Sequence, residues 1–278
     1  MLSLTKHGSR FAAGRESGPC HHLLDLIASK ARIDQSDQLI WRRPTASEGR
    51  RLKFRVLIVG AQSSGTSLLC LFLAQIPRSV AIIDLWANRL APSPDLLDAE
   101  RLILKCTIGT QVHVDQQIEA YKPTHSILLI RHPADIYESL TGKTYRDLGG
   151  TPSEKLQIMD ALHRDWTSRF DAVLYFEALV TQSPRVVDDL VKIGLPVSSR
   201  HFALERSLRD VVVDTLRHSA WARTNWRKNW AEGNVSGGGI RRHDGGRRAA
   251  QDDRSAGARL RDLCPFTLDV YEKSKLGR

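Results

Sequence analysis

RVLIVGAQSSGTSLLCLFLAQ, Arg55 to Gln75, reads as a buried strand, a Gly/Ser turn and a helix. Val56, Leu57, Ile58 and Val59 form an unbroken β-rich apolar run, the pattern of a strand covered on both faces. Gly60 ends the run, Ala61 to Gly65 make the turn, and a helix starts at Thr66. Leu68, Leu69, Phe72 and Leu73 recur along it at helical spacing. The first amides of a helix lack carbonyl partners and carry partial positive charge, so this position suits a phosphate. The hydroxyls of Ser63, Ser64, Thr66 and Ser67 add candidate donors.

The spacing Gly60-x-x-x-x-Gly65-x-Ser67 is that of an ATP-binding P-loop, but Thr66 stands where that loop carries Lys. That Lys reaches the outer phosphates of a triphosphate. Without it, the turn suits a phosphate held at one site better than ATP used as a phosphoryl donor. A capped helix start with no ligand has the same local signature, and the turn alone does not separate the two.

Strands and helices alternate outward from this stretch. Val80 to Leu85 reads as a second strand, with Asp84 at its end, and Leu102 to Lys105 as a third. Gln111 to Tyr121 reads as a helix, broken after by Pro123, and Ser126 to Ile130 as another buried strand. Helices follow over Ala134 to Leu140, with Pro133 in the first turn, and over Ser153 to Arg169. Ala172 to Phe176 reads as a strand and Pro184 to Gly194 as a helix. This alternation predicts a three-layer α/β fold, a central, mostly parallel sheet with helices on both faces and a P-loop-like turn.

The remaining segments are peripheral to that unit. Residues 1–50 read as a partly flexible N-terminal segment with one short amphipathic helix over His22 to Ile33, and residues 51–278 as the main domain. Arg200 to Trp230 is helical in pattern, with Trp221, Trp226 and Trp230 along it, and Gly233 to Gly257 reads as a mobile Gly/Arg-rich loop. A last helical stretch, Ala258 to Lys275, carries Leu260, Leu263, Leu268, Val270 and Tyr271 as docking positions.

A net charge of +10 favours anionic ligands. The basic residues are scattered and no nucleic-acid motif accompanies them, so no nucleic acid is expected as partner. Cys20, Cys70, Cys106 and Cys264 show no paired metal spacing, and Cys70 and Cys106 lie in apolar runs as buried free thiols. The sequence has no apolar run long enough for a signal peptide or a membrane span, so a soluble, cytoplasmic protein is expected. It carries no signal for an oligomeric state.

A second phosphate-compatible feature stands at Arg131, where the strand SILLI ends. Its planar, permanently charged fork suits a phosphate, and Ser139 follows two helical turns later. Ligands of open α/β sheets bind beyond the carboxyl ends of the strands, where both features would lie.

Together these residues resemble the sulfotransferases that use 3′-phosphoadenosine 5′-phosphosulfate (PAPS). Gly60-Ala-Gln-Ser-Ser-Gly-Thr-Ser67 is similar to their 5′-phosphosulfate loop. SILLIRHPADIYESL, Ser126 to Leu140, looks like their 3′-phosphate motif, with Arg131, Pro133, Asp135 and Ser139 in register. VLYFEALV, Val173 to Val180, is similar to their strand ending Y-E-x-L, with Phe176 and Glu177 at the first two positions. Three positions depart from the family pattern. Ser63 stands where a Lys or Arg is usual, Phe176 replaces a Tyr, and Lys105-Cys106-Thr107 keeps the Lys of a K-x-H segment without its His.

The resemblance implies a transferase that moves a sulfuryl group from PAPS to a hydroxyl or amine of an acceptor, such as a carbohydrate or small metabolite, with no metal. The donor would be held by Gly60, Ser63, Ser64, Gly65, Thr66, Ser67, Arg131, Ser139 and Phe176. Lys105, at a strand end, is the candidate for stabilising charge on the transferring group. Asp84 and His113 are candidate bases for the acceptor proton. The alternatives are a PAP- or nucleotide-binding protein of the same fold that does not catalyse, and a P-loop kinase.

Overall fold

The structure is a computed structural model that describes residues 54–85, 101–141, 149–207, 210–211, 215 and 254–274. Five strands form one sheet: β1 (Phe54–Gly60), β2 (Ser79–Leu85), β3 (Arg101–Thr107), β4 (His125–Ile130) and β5 (Ala172–Tyr175). Their spatial order is β2-β3-β1-β4-β5, and every pairing is parallel. The helices are α1 (Thr66–Ala74), α2 (Val114–Tyr121), α3 (Pro133–Thr141), α4 (Pro152–Arg164), α5 (Phe176–Val180), α6 (Pro184–Lys192), α7 (Arg254–Leu263) and α8 (Pro265–Ser274).

The position of β1 explains its composition. Lying between β3 and β4 with both faces covered, it buries Val56 to Val59 completely. At the edge, β5 instead alternates buried and half-buried residues, as a strand with one covered face does. Helix α1 packs on β1, β2 and β3, α2 packs on β1, and α4 packs on β4. Crossovers between parallel strands are right-handed, so connections that run opposite ways across the sheet place their helices on opposite faces. The expected three-layer architecture follows.

That topology also places the site. From β1 the chain runs through α1 toward β2 on one side, whereas from β4 it runs through α3 and α4 to β5 on the other. The carboxyl ends of β1 and β4 therefore diverge and leave a crevice between adjacent strands.

Asp84 lies near the end of β2, the edge strand paired with β3, which carries Lys105; of Asp84 only the backbone belongs to the described residues. Several boundaries differ from the sequence expectation. Strand β5 stops at Tyr175 and Phe176 opens α5, because an apolar run does not itself mark where strand becomes helix. The helix predicted from Ser153 to Arg169 ends at Arg164 and continues as a short 3-10 turn, Trp166–Ser168. The single C-terminal helix is two, because Pro265 has no amide to continue α7 and begins α8 instead. The N-terminal segment, most of Arg200 to Trp230 and nearly all of Gly233 to Gly257 lie outside the described residues.

Cys70, Cys106 and Cys264 are buried and form no disulfide among the described residues, and burial pushes the Cys264 thiol up to about 12. No helix among the described residues is long and apolar enough to cross a membrane. Helices α7 and α8 dock on α4 through polar as well as apolar contacts. The Thr267 amide donates to Asp160 Oδ1 at 2.7 Å. Buried His163 has Nδ1 3.1 Å from Thr267 Oγ1 and Nε2 3.1 Å from the Tyr175 hydroxyl. Both ring nitrogens are satisfied with the imidazole neutral.

Burial pulls the His163 pKa down to about 4, against a smaller opposing pull from Asp160. An unfolded imidazole protonates near 6.5, so between these values the unfolded chain holds a proton that the folded chain does not. Stability is therefore full above pH 6.5 and falls as pH drops through about 4, by on the order of 2–3 kcal/mol from this residue. Urea unfolding at pH 7 and pH 4 should show this loss in the wild type and a smaller one in His163→Gln; equal losses would contradict the assignment.

Candidate functional site

The turn after β1 is built by two left-handed residues, Ser63 (φ 69°) and Gly65 (φ 88°). Leu68 and Leu69 both donate to Gly65 O, at 2.9 and 3.1 Å. The amides of Thr66 and Ser67 donate to no backbone carbonyl among the described residues, and they open α1 with donors available to an anion. Two glycines are sterically required. A Cβ at Gly60 would stand 2.8 Å from the Leu129 carbonyl oxygen and 2.6 Å from the Ser64 hydroxyl, and one at Gly65 would stand 2.2 Å from the Phe176 ring.

The hydroxyls of the turn point different ways. Ser64 is fully buried, its Oγ directed at Gly60 with no hydrogen-bond partner among the described residues. Thr66 is also buried, with its methyl against Gly60. The Ser63 and Ser67 hydroxyls instead meet residues from α3 and β3.

From β4, Arg131 reaches the turn and donates from Nη1 to Ser63 O at 2.9 Å. Its Nε and Nη2 both donate to Asp135 Oδ2, at 3.2 and 3.1 Å. The guanidinium lies 4.6 Å from the centre of the Phe176 ring, a cation–π contact, and its side chain is only 14% exposed. Ser139, on α3, donates to Ser63 Oγ at 2.8 Å. From β3, the strand beside β1, Lys105 Nζ donates to Ser67 Oγ at 3.1 Å. Ser63, Gly65, Ser67, Lys105, Arg131, Ser139 and Phe176 are thus brought together at one sheet edge. His113 is exposed at the start of α2, where its amide donates to the Gln116 side chain at 2.9 Å.

Two supporting groups were not singled out by sequence reasoning. Lys155, on α4, is completely buried and donates from Nζ to Gln62 Oε1 in the turn at 2.7 Å. Glu177 bridges α5, α8 and the residue after Arg131. One carboxylate oxygen accepts the His132 amide at 3.1 Å and the other the Tyr271 hydroxyl at 2.7 Å. Burial, and then the Glu177 carboxylate, hold the Tyr271 hydroxyl protonated well above its ordinary range, so it stays a donor. Glu177 was visible as part of Y-E-x-L, but no sequence signal links it to Tyr271.

The arrangement gathers helix-start amides, three hydroxyls, a lysine and a guanidinium around one turn, a donor set for anions. Among the described residues, no group of three or more His, Cys, Asp and Glu is placed to hold a metal. No family model matches the chain, and no curated protein matches it.

Gly65→Ala is expected to cost roughly 1–3 kcal/mol from the left-handed backbone, with more from the Phe176 ring. In a Phe176→Ala background the ring's share should vanish and only the backbone share remain. Urea denaturation of the four proteins measures both, and an undiminished cost in the double variant would contradict the contact.

Proposed function

We propose that this chain is a PAPS-dependent sulfotransferase that moves a sulfuryl group to a hydroxyl or amine of an acceptor, such as a carbohydrate or small metabolite. The observation that carries the reading is the convergence of Arg131 and Ser139, far along the sequence, on Ser63 in the turn after β1. These are the residues that the family resemblance assigns to two phosphates of one donor. The Thr66 and Ser67 amides would receive the 5′ group. A guanidinium has five N–H donors. Three are engaged here, by Ser63 and Asp135, and two remain for the 3′-phosphate.

PAPS supplies the sulfuryl group, whose bond to the phosphate oxygen breaks as the acceptor's oxygen or nitrogen bonds to sulfur. Lys105 brings its ammonium to the start of α1, where it would stabilise charge developing on the leaving oxygen. The acceptor proton goes to a base, for which exposed His113 and Asp84 at the carboxyl end of β2 are the candidates. Thr66 argues against a kinase, because its buried methyl faces Gly60 and cannot do what a lysine there does for a triphosphate. Three buried cysteines outside any disulfide among the described residues fit a reducing compartment, which supports the cytoplasm as the location.

A second reading, PAP binding without transfer, is favoured by Ser63 in the place of the usual cation. Calorimetry is expected to show PAP binding and no ATP binding at similar concentrations. Arg131→Ala should weaken PAP by roughly 10- to 100-fold, as loss of a charge-assisted hydrogen bond worth about 1.5–3 kcal/mol predicts. Labelled sulfate should pass from PAPS to at least one acceptor of a hydroxyl and amine panel. Absence of PAP binding at about millimolar concentration would sink the assignment, and binding without transfer would establish the second reading.

A further inference from the structure

Arg131 and His132 connect β4 to α3, and consecutive residues at the start of α5 grip them one each. The centre of the Phe176 ring lies 4.6 Å from the guanidinium carbon of Arg131, and Glu177 Oε1 accepts the His132 amide at 3.1 Å. His132 in turn opens α3. Its carbonyl accepts the Asp135 and Ile136 amides at 3.1 and 3.3 Å, and its ring Nδ1 accepts the Ala134 amide at 3.3 Å. A shift of the His132 backbone therefore carries the start of α3 with it. Asp135 moves too, and Asp135 holds Nε and Nη2 of Arg131. The direction in which the guanidinium presents its remaining donors is thus tied to Glu177.

Glu177 is itself set from a distant part of the chain. Its Oε2 accepts the hydroxyl of Tyr271, 94 residues further along on α8, at 2.7 Å. The Tyr271 ring also stands edge-on to the His132 ring, with centroids 5.1 Å apart and planes at 81°. Tyr271 is buried, and α8 is anchored to α4 through the Thr267 amide and Asp160. A carboxylate held at both oxygens keeps little rotamer freedom, and a bond to an ionised group is the stronger kind.

We propose that Tyr271, acting through Glu177 and His132, positions the Arg131 guanidinium for its anion. It is a positioning residue and makes no contact with the ligand. The C-terminal helix α8 is then part of the anion site, although it lies outside the strand ends that form it. The inference rests on Arg131 receiving the donor's 3′-phosphate, as proposed above.

Calorimetry on the full chain with PAP and adenosine 5′-phosphate isolates the 3′-phosphate, the one group by which these ligands differ. Thermal unfolding checks that each variant folds. Tyr271→Phe keeps the ring and removes the hydroxyl. It should weaken PAP about three- to tenfold and leave adenosine 5′-phosphate within about twofold. The loss should vanish in an Arg131→Ala background, because the hydroxyl acts through that guanidinium. Glu177→Ala is a test of sign, and it carries the experiment if Tyr271→Phe does not fold. Removing a carboxylate near an anion strengthens binding by charge alone, whereas loss of positioning weakens PAP. Unchanged PAP affinity, an equal loss for both ligands, or a loss that persists in the Arg131→Ala background would overturn the role of Tyr271 while the PAPS reading stands. If the wild type does not bind PAP, the PAPS reading falls and inorganic sulfate becomes the probe. A sulfate loss in Tyr271→Phe that disappears with Arg131→Ala then upholds Tyr271, and no loss overturns it. If the wild type binds neither, both readings fall.

Discussion

The guanidinium of Arg131 joins three elements that would otherwise part at the carboxyl edge of the sheet. One nitrogen holds the carbonyl of Ser63 after β1, two hold Asp135 on α3, and the plane rests against Phe176 at the start of α5. An i,i+4 ion pair of this kind contributes only about 0.5 kcal/mol by itself. Its value here is positional. The chain leaves β1 and β4 in opposite directions, so the two strand ends diverge, and a planar fork with several donors can span that gap where a point charge cannot.

The rest of the site is conditioned on that span. Phe176 lies under Arg131 only because Gly65 has no side chain to displace the ring, and Gly65 is also the residue whose left-handed backbone starts α1. Glu177 then locks the neighbouring His132 amide to Tyr271 on α8, so the C-terminal helix supports the Arg131 turn from its far side. The turn is fixed on the other flank by Lys155 through Gln62 and by Lys105 through Ser67. Cations from β3, β4 and α4 thus surround one helix start, although the turn itself contains none.

Much of this was legible in residues alone, and the reasons for the remainder are physical. Val56 to Val59 and Ser126 to Ile130 announced central strands, because only strands covered on both faces are apolar without alternation. Strand order was not legible. Alternating strands and helices imply parallel pairing but not adjacency, so the order β2-β3-β1-β4-β5 comes from the structure alone. Arg131 and Ser139 were legible as a pair, but their meeting with Ser63 depends on β4 lying next to β1. Lys155 was invisible for a different reason. A lysine on an amphipathic helix reads as its solvated face, and only packing reveals one that is buried. Pro265 was visible and should have divided the last helix, since it can begin a helix but not continue one.

A crystal of the protein grown with PAP tests the central claim most directly, because the turn and Arg131 can each be inspected for a phosphate. The account predicts the 5′-phosphate against the Thr66 and Ser67 amides and the 3′-phosphate against Arg131 and Ser139, with both strand ends serving one ligand. Electron density for PAP elsewhere on the chain, or at only one of the two strand ends, would contradict it.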